Sequence, residues 1–234
     1  MSTTRLAAKV STAAFGTVML SLGIMLSSAT SSLAAIIGVS DSGSPYGTNT
    51  IANLGFNLVN VTDSTDPDFT PVSSLSSPAG VSVNFSPTTL KRTVPNSWST
   101  WSHGYTGPVY SDGVTNVLNL TFSSAVTAFD FFAEPNPFGL FDITAITSSG
   151  ATLTQAVEGF AGAKYFGFYS DNLADTIASI TISSSENFAI GELRLSTTTP
   201  EAIPTPALLP GLIGMGVAAL RKRKGEAAEE SSEA

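Results

Sequence analysis

"NVLNLTFSSAVTAFDFF", residues 116–132, is the stretch whose reading decides the fold. Its first part, "NVLNLTF" (116–122), places Leu118, Leu120 and Phe122 at intervals of two. Its second, "AVTAFDFF" (125–132), turns apolar again after Ser123-Ser124. An interval of two sends successive side chains to opposite faces, so one face is buried and the other meets water. The two parts read as two strands divided at the serines.

Working outward, the same pattern recurs in "NLGFNLVNV" (53–61), "GVSVNF" (80–85), "LFDITAI" (140–146), "TLTQAV" (152–157), "KYFGFYS" (164–170), "IASITIS" (177–183) and "FAIGELRL" (188–195). Turns containing Gly, Pro, Asn or Asp separate the runs. No helical periodicity of useful length appears between Ala35 and Thr199, which argues against helix crossovers and a parallel sheet. The expectation is an all-β domain over residues 35–196, an antiparallel β-sandwich of jelly-roll type.

Composition narrows the function classes. Charged residues make up 12% of the chain, and Ser, Thr, Gly and Asn are abundant, which suits an exported β-protein better than a helical one. The net charge of −8 argues against nucleic acid as a partner, because phosphate neutralisation needs a basic footprint. Residues 35–205 alone carry four basic side chains against fourteen acidic ones. There is no cysteine, so disulfides, thiol catalysis and cysteine-ligated metals are excluded.

Both ends read as addresses. Arg5 and Lys9 precede an apolar stretch from Val10 to about Met25, and the chain then reaches Ser32-Leu33-Ala34. Residues 1–34 read as a signal peptide, with signal peptidase cutting between Ala34 and Ala35. At the other end stands "PTPALLPGLIGMGVAALRKRK" (204–224). Its apolar run, Ala207 to Leu220, spans about 21 Å as a helix against roughly 30 Å of hydrocarbon. It carries Gly211, Gly214 and Gly216, follows a Thr- and Pro-rich linker (197–206), and is closed by Arg221, Lys222, Arg223 and Lys224. Such a cluster retains the C-terminus on the cytoplasmic side of the inner membrane. The expectation is a short transmembrane helix with its basic cluster over 207–224, followed by an acidic tail over 225–234.

A Pro-containing motif, a short apolar helix and a basic cluster, in that order, resemble the bacterial PEP-CTERM sorting signal. Pro204-Thr205-Pro206 with Ala207 is similar to its PTPA variant. The resemblance implies an exosortase-type processing peptidase as partner and delivery to the cell surface or extracellular matrix. The middle of the chain, through "TWSHGYTGPVY", "AFDFFAEPNPF", "KYFGFYSDNLADTIASITIS" and "FAIGELRL", is similar to the β-sandwich domain found in PEP-CTERM proteins of unknown function. No catalytic residue comes with that resemblance.

Candidate sites are few. "NSWSTWSHGYTGPVYSDG" (96–113) gathers Trp98, Trp101, His103, Tyr105 and Tyr110. Such rings either stack on sugars as a polysaccharide platform or cap one end of the core. His103 is the single histidine, with no nucleophile elbow and no second imidazole, and reads as a loop side chain bonded to backbone. Asp63, Asp66 and Asp68 share one loop, read either as a calcium site or as a solvated turn; the spacing is not that of an EF-hand. Glu134 and Asp142 flank "AEPNPFGLFD" and are the carboxylates a hydrolase would use. The sequence favours a non-catalytic surface or matrix protein without a cofactor, the alternative being a secreted hydrolase of glycans or peptides.

Overall fold

A computed structural model describes residues 35–41, 47, 49–171 and 175–200. The expected signal peptide, the sorting motif, the short helix and its basic cluster lie outside the described residues. Among those described, no helix is long and apolar enough to cross a membrane.

Twelve strands form: β1 (Ile36–Ser40), β2 (Val59–Asn60), β3 (Pro71–Ser76), β4 (Ser82–Thr93), β5 (Pro108–Ser111), β6 (Val117–Val126), β7 (Ala128–Pro135), β8 (Leu140–Thr147), β9 (Thr152–Glu158), β10 (Lys164–Ser170), β11 (Ile177–Ser184) and β12 (Phe188–Ser196). A 3-10 turn at Ile51–Leu54 precedes β2. Every described pairing is antiparallel, as expected. The strands follow one hydrogen-bonded path, β1-β10-β7-β12-β5-β4-β6-β11-β8-β9, with β2 added to β12 and β3 to β4.

At the end of the path β9 comes back to β10. Gln155 Nε2 donates to the Tyr165 carbonyl and Lys164 Nζ to the Ala156 carbonyl, each at 2.6 Å. The sheet is therefore nearly closed into a barrel, the geometry by which strand twist removes free edges. The all-β, antiparallel class expected from the sequence is what forms, with the strands on one continuous path.

The interior is filled by Phe129, Phe131, Phe166, Phe168 and Phe188 with Leu118, Leu120, Ile143, Ile180 and Ile182. Phe131 and Phe166 stack at 5.3 Å between ring centres. Strand β7 is buried along its whole length, because its other face is covered too. Ala128 and Phe132 join Ile51, Phe56, Trp98, Trp101, Tyr165 and Ala189 in a second cluster. The 3-10 turn and the 94–105 loop thus form an outer layer on the β10-β7-β12 face.

Several strand boundaries differ from the sequence reading. The alternation at 53–61 yields the 3-10 turn and only two strand residues, because Gly55 adopts a left-handed φ of 91° and its N–H caps the turn on the Ala52 carbonyl. Ser123-Ser124 do not break β6; the break falls at Thr127. There the N–H donates to the Ser196 carbonyl, and the hydroxyl donates to the carbonyls of Ser196 and Thr198. Strands β1, β3 and β5 fall outside the alternating runs of the sequence. Pro87 is tolerated inside β4 because it falls where β4 changes partner, from β6 (through Ser86) to β5 (from Leu90).

One glycine lets the outer layer seat. A Cβ on Gly167 would lie 2.7 Å from the Tyr165 hydroxyl and 2.9 Å from Ile51 Cδ1, whereas one on Gly38 would meet nothing closer than 3.5 Å. Gly167→Ala is expected to cost about 1–3 kcal/mol in thermal unfolding, the usual effect of overpacking. Gly38→Ala, its control in the neighbouring strand, should leave the transition close to wild type. Equal effects of the two would contradict the packing described.

Candidate functional site

The polar groups of the outer face are arranged by a bulge in β12. Pairing with β7 slips between Gly191 and Arg194, and Glu192 has a φ of 55°. The inserted residue interrupts the alternation and turns Glu192 to the outer face. Its Oε1 accepts from Trp101 Nε1 at 2.9 Å, and its Oε2 lies 3.0 Å from His103 Nε2. His103 Nδ1 in turn lies 2.8 Å from Ser102 Oγ, and the imidazole packs against Phe132. Side chains thus stand at both ring nitrogens of His103, because the bulge brings a carboxylate within reach.

Beneath this lies a buried ion pair. Asp130 has no exposed surface. It accepts from Arg194 Nε at 2.9 Å and Nη2 at 2.7 Å, and from the Tyr165 hydroxyl at 2.8 Å. The Tyr165 oxygen also accepts from the Ile51 N–H at 2.9 Å, which ties the 3-10 turn to the sheet. Burial pushes the Asp130 carboxyl up, against the pull of Arg194 and Tyr165. Burial likewise raises the Tyr165 phenol, with the Asp130 charge adding to it.

Above these groups opens a cleft of about 560 Å³. Its walls include Asn53, Asn60, Asp63, Tyr105, Glu192 and Arg194. Of the aromatic stretch, His103 and Tyr105 line it. Tyr105 donates to the Pro108 carbonyl at 2.9 Å and packs beside Trp101.

The tryptophans are 7% (Trp98) and 5% (Trp101) exposed, so neither presents a face to a ligand. Trp98 Nε1 instead donates to Glu134 at 3.1 Å. Tyr110 is fully buried, stacked on Phe85, with its hydroxyl on Asp63 Oδ1. All three rings are thus buried, Trp98 and Trp101 in the outer layer and Tyr110 in the interior cluster.

The three loop aspartates do not converge. Asp63 takes Tyr110, and Asp66 takes the Ser64 hydroxyl at 2.7 Å. Asp68 takes the hydroxyls of Thr93 and Ser97, each at 2.6 Å, and these bonds hold its carboxyl below the usual range. Lys91 Nζ donates to the Asp66 carbonyl at 2.6 Å and stands 3.7 Å from Asp68. A lysine ammonium thus stands against the charge of this loop. Among the described residues no group of three acids, histidines or cysteines could hold a metal ion.

Glu134 and Asp142 do not form a pair on the cleft, which neither lines. Glu134 has no exposed surface and accepts from Trp98, Thr100 and the Gly162 N–H, whereas Asp142 is exposed on β8. The sequence reading missed Asn60, Asp130, Tyr165, Glu192 and Arg194 as site residues, having taken each only as part of a strand.

No known protein family matches the chain, and no curated protein matches it.

Burial raises the carboxyls of Glu134 and Asp112, which have no cation beside them. Each holds its proton more tightly when folded than when unfolded, where carboxyls titrate near about 4. Their contribution is fully present below about pH 4 and is lost as pH rises through the raised values. Asp68 acts oppositely, but in the window below about pH 4. The urea midpoint is therefore expected to fall as pH rises above about 4; a midpoint that climbs with pH would contradict the burial of these groups.

Proposed function

We propose that the chain is an exported, non-catalytic cell-surface or extracellular-matrix protein whose outer-face cleft binds polysaccharide. In this reading a jelly-roll-like domain is flanked by a cleaved signal peptide and a short hydrophobic helix. The helix holds the protein in the inner membrane until an exosortase-type peptidase acts near Pro204-Thr205-Pro206-Ala207. The two address segments support export and sorting.

The observation that carries the binding proposal is the cleft itself. Amide, carboxylate and guanidinium groups line it beside the Tyr105 ring, a set suited to a hydroxyl-rich pyranose. The platform moves from the indoles to this cleft.

A second reading, a hydrolase, is favoured by the chain Ser102–His103–Glu192, in which hydroxyl, imidazole and carboxylate follow at 2.8 and 3.0 Å. Against it, Ser102 is 9% exposed and does not line the cleft, so its hydroxyl is not presented to a substrate there.

The test uses protein recovered from the envelope and medium of its own host. Intact mass should run from Ala35 to close to Pro206, and the protein should be retained on isolated matrix polysaccharide. Tyr105→Ala and Asn60→Ala should each weaken retention about five- to tenfold, as expected for a stacked ring or a lost hydrogen bond. Unchanged retention in both variants would sink the cleft as the binding site. Turnover of glycan or peptide that Ser102→Ala abolishes would favour the hydrolase.

A further inference from the structure

The charges around the cleft do not balance. Arg194 is already engaged through two nitrogens by the buried Asp130, and Lys91, behind the Asp63 loop, faces Asp68. That leaves Asp63 and Glu192 on the cleft wall, with His103 beside Glu192.

The two carboxylates sense each other. Asp63 is exposed as a residue; partial desolvation of its carboxyl raises it, the Tyr110 bond and Lys91 oppose this, and the charge of Glu192 adds to it. The Tyr105 phenol, on the same cleft, is raised first by burial and then by both carboxylates. Asp63 Oδ1 takes the Tyr110 hydroxyl, whereas Oδ2 receives no hydrogen bond from the described residues. An unengaged carboxylate oxygen on a concave wall is an acceptor for a ligand cation. Like-charge repulsion across the cleft makes that cation more favourable still.

We infer that the cleft takes an amine-bearing sugar: a 2-amino-2-deoxyhexose of a partly de-N-acetylated glycan, its ammonium on Asp63 Oδ2 and Glu192. The inference rests on the polysaccharide reading above and specifies its chemistry. A sugar is favoured over a lysine side chain because the other walls are polar amides and rings. Asn53 and Asn60 offer hydrogen bonds along the cleft, and Tyr105 offers an apolar face. A lysine would use the carboxylates and leave those groups idle. The domain's excess of acidic over basic residues acts in the same direction, repelling uronic-acid polymers and attracting amine-bearing ones.

The experiment is calorimetric titration of the protein isolated from its host with four probes: a glucosamine pentamer, its fully N-acetylated counterpart, a galacturonate pentamer and pentalysine. The glucosamine pentamer should bind at least about tenfold tighter than the acetylated one, the strength of one charge-assisted hydrogen bond. That advantage should shrink with added salt and disappear in Asp63→Asn. The salt titration of wild type decides the matter even if the variant does not fold. Equal binding of the two pentamers, or preference for galacturonate, would overturn the amine inference and leave the polysaccharide reading standing. Pentalysine binding as tightly as the glucosamine pentamer would overturn it in favour of a basic peptide. Binding of no saccharide at all would remove both.

Discussion

The outer face of this barrel is organised around one buried charge. Asp130 sits in a strand buried along its whole length and has no exposed surface, and an isolated carboxylate there would be prohibitively costly. The geometry answers it with a two-pronged guanidinium from β12 and a phenol from β10, so three adjacent strands are tied through one side chain. Pairs of this kind add little net stability compared with an apolar packing, but removing one partner typically costs about 3–5 kcal/mol. Their value is specificity: Arg194 and Tyr165 have one arrangement in which Asp130 is satisfied. In that arrangement the Tyr165 oxygen also receives the Ile51 N–H, and the 3-10 turn is seated as one wall of the cleft.

The bulge in β12 completes the arrangement. It lets one strand send Leu193 and Leu195 inward and both Glu192 and Arg194 outward. Trp101 and His103 are then held by the carboxylate, and with them the loop that carries Tyr105. The tryptophans, the largest rings of the chain, act as the underside of the site rather than its surface. The indole N–H groups, each on a glutamate, fix where the loop lies.

Much of this was legible in the residues, and some of it was not. The alternating runs define the all-β class and most strands, because burial on one face imposes a period of two. The lone acid in "AFDFF" and the lone base in "FAIGELRL" carry a readable message as well, since a charge within a buried strand needs a partner. The apolar spacing of Phe188, Ile190, Leu193 and Leu195, two then three then two, is the mark of a bulge. The register that brings Arg194 opposite Asp130 is not local and could not be read. Nor could the 3-10 turn, whose period over four residues is indistinguishable from a short strand, or β3, whose apolar Val72 and Leu75 stand three apart.

The claim on which the account turns is that the Asp130–Tyr165 network holds the outer layer on the sheet. Amide hydrogen exchange in Tyr165→Phe measures this directly. Loss of the hydroxyl should speed exchange of the Ile51 amide about fivefold or more, the equivalent of roughly 1 kcal/mol for one hydrogen bond. Interior amides such as that of Phe168 should keep their protection. Unchanged exchange at Ile51 would contradict the account, and so would a uniform loss across all strands.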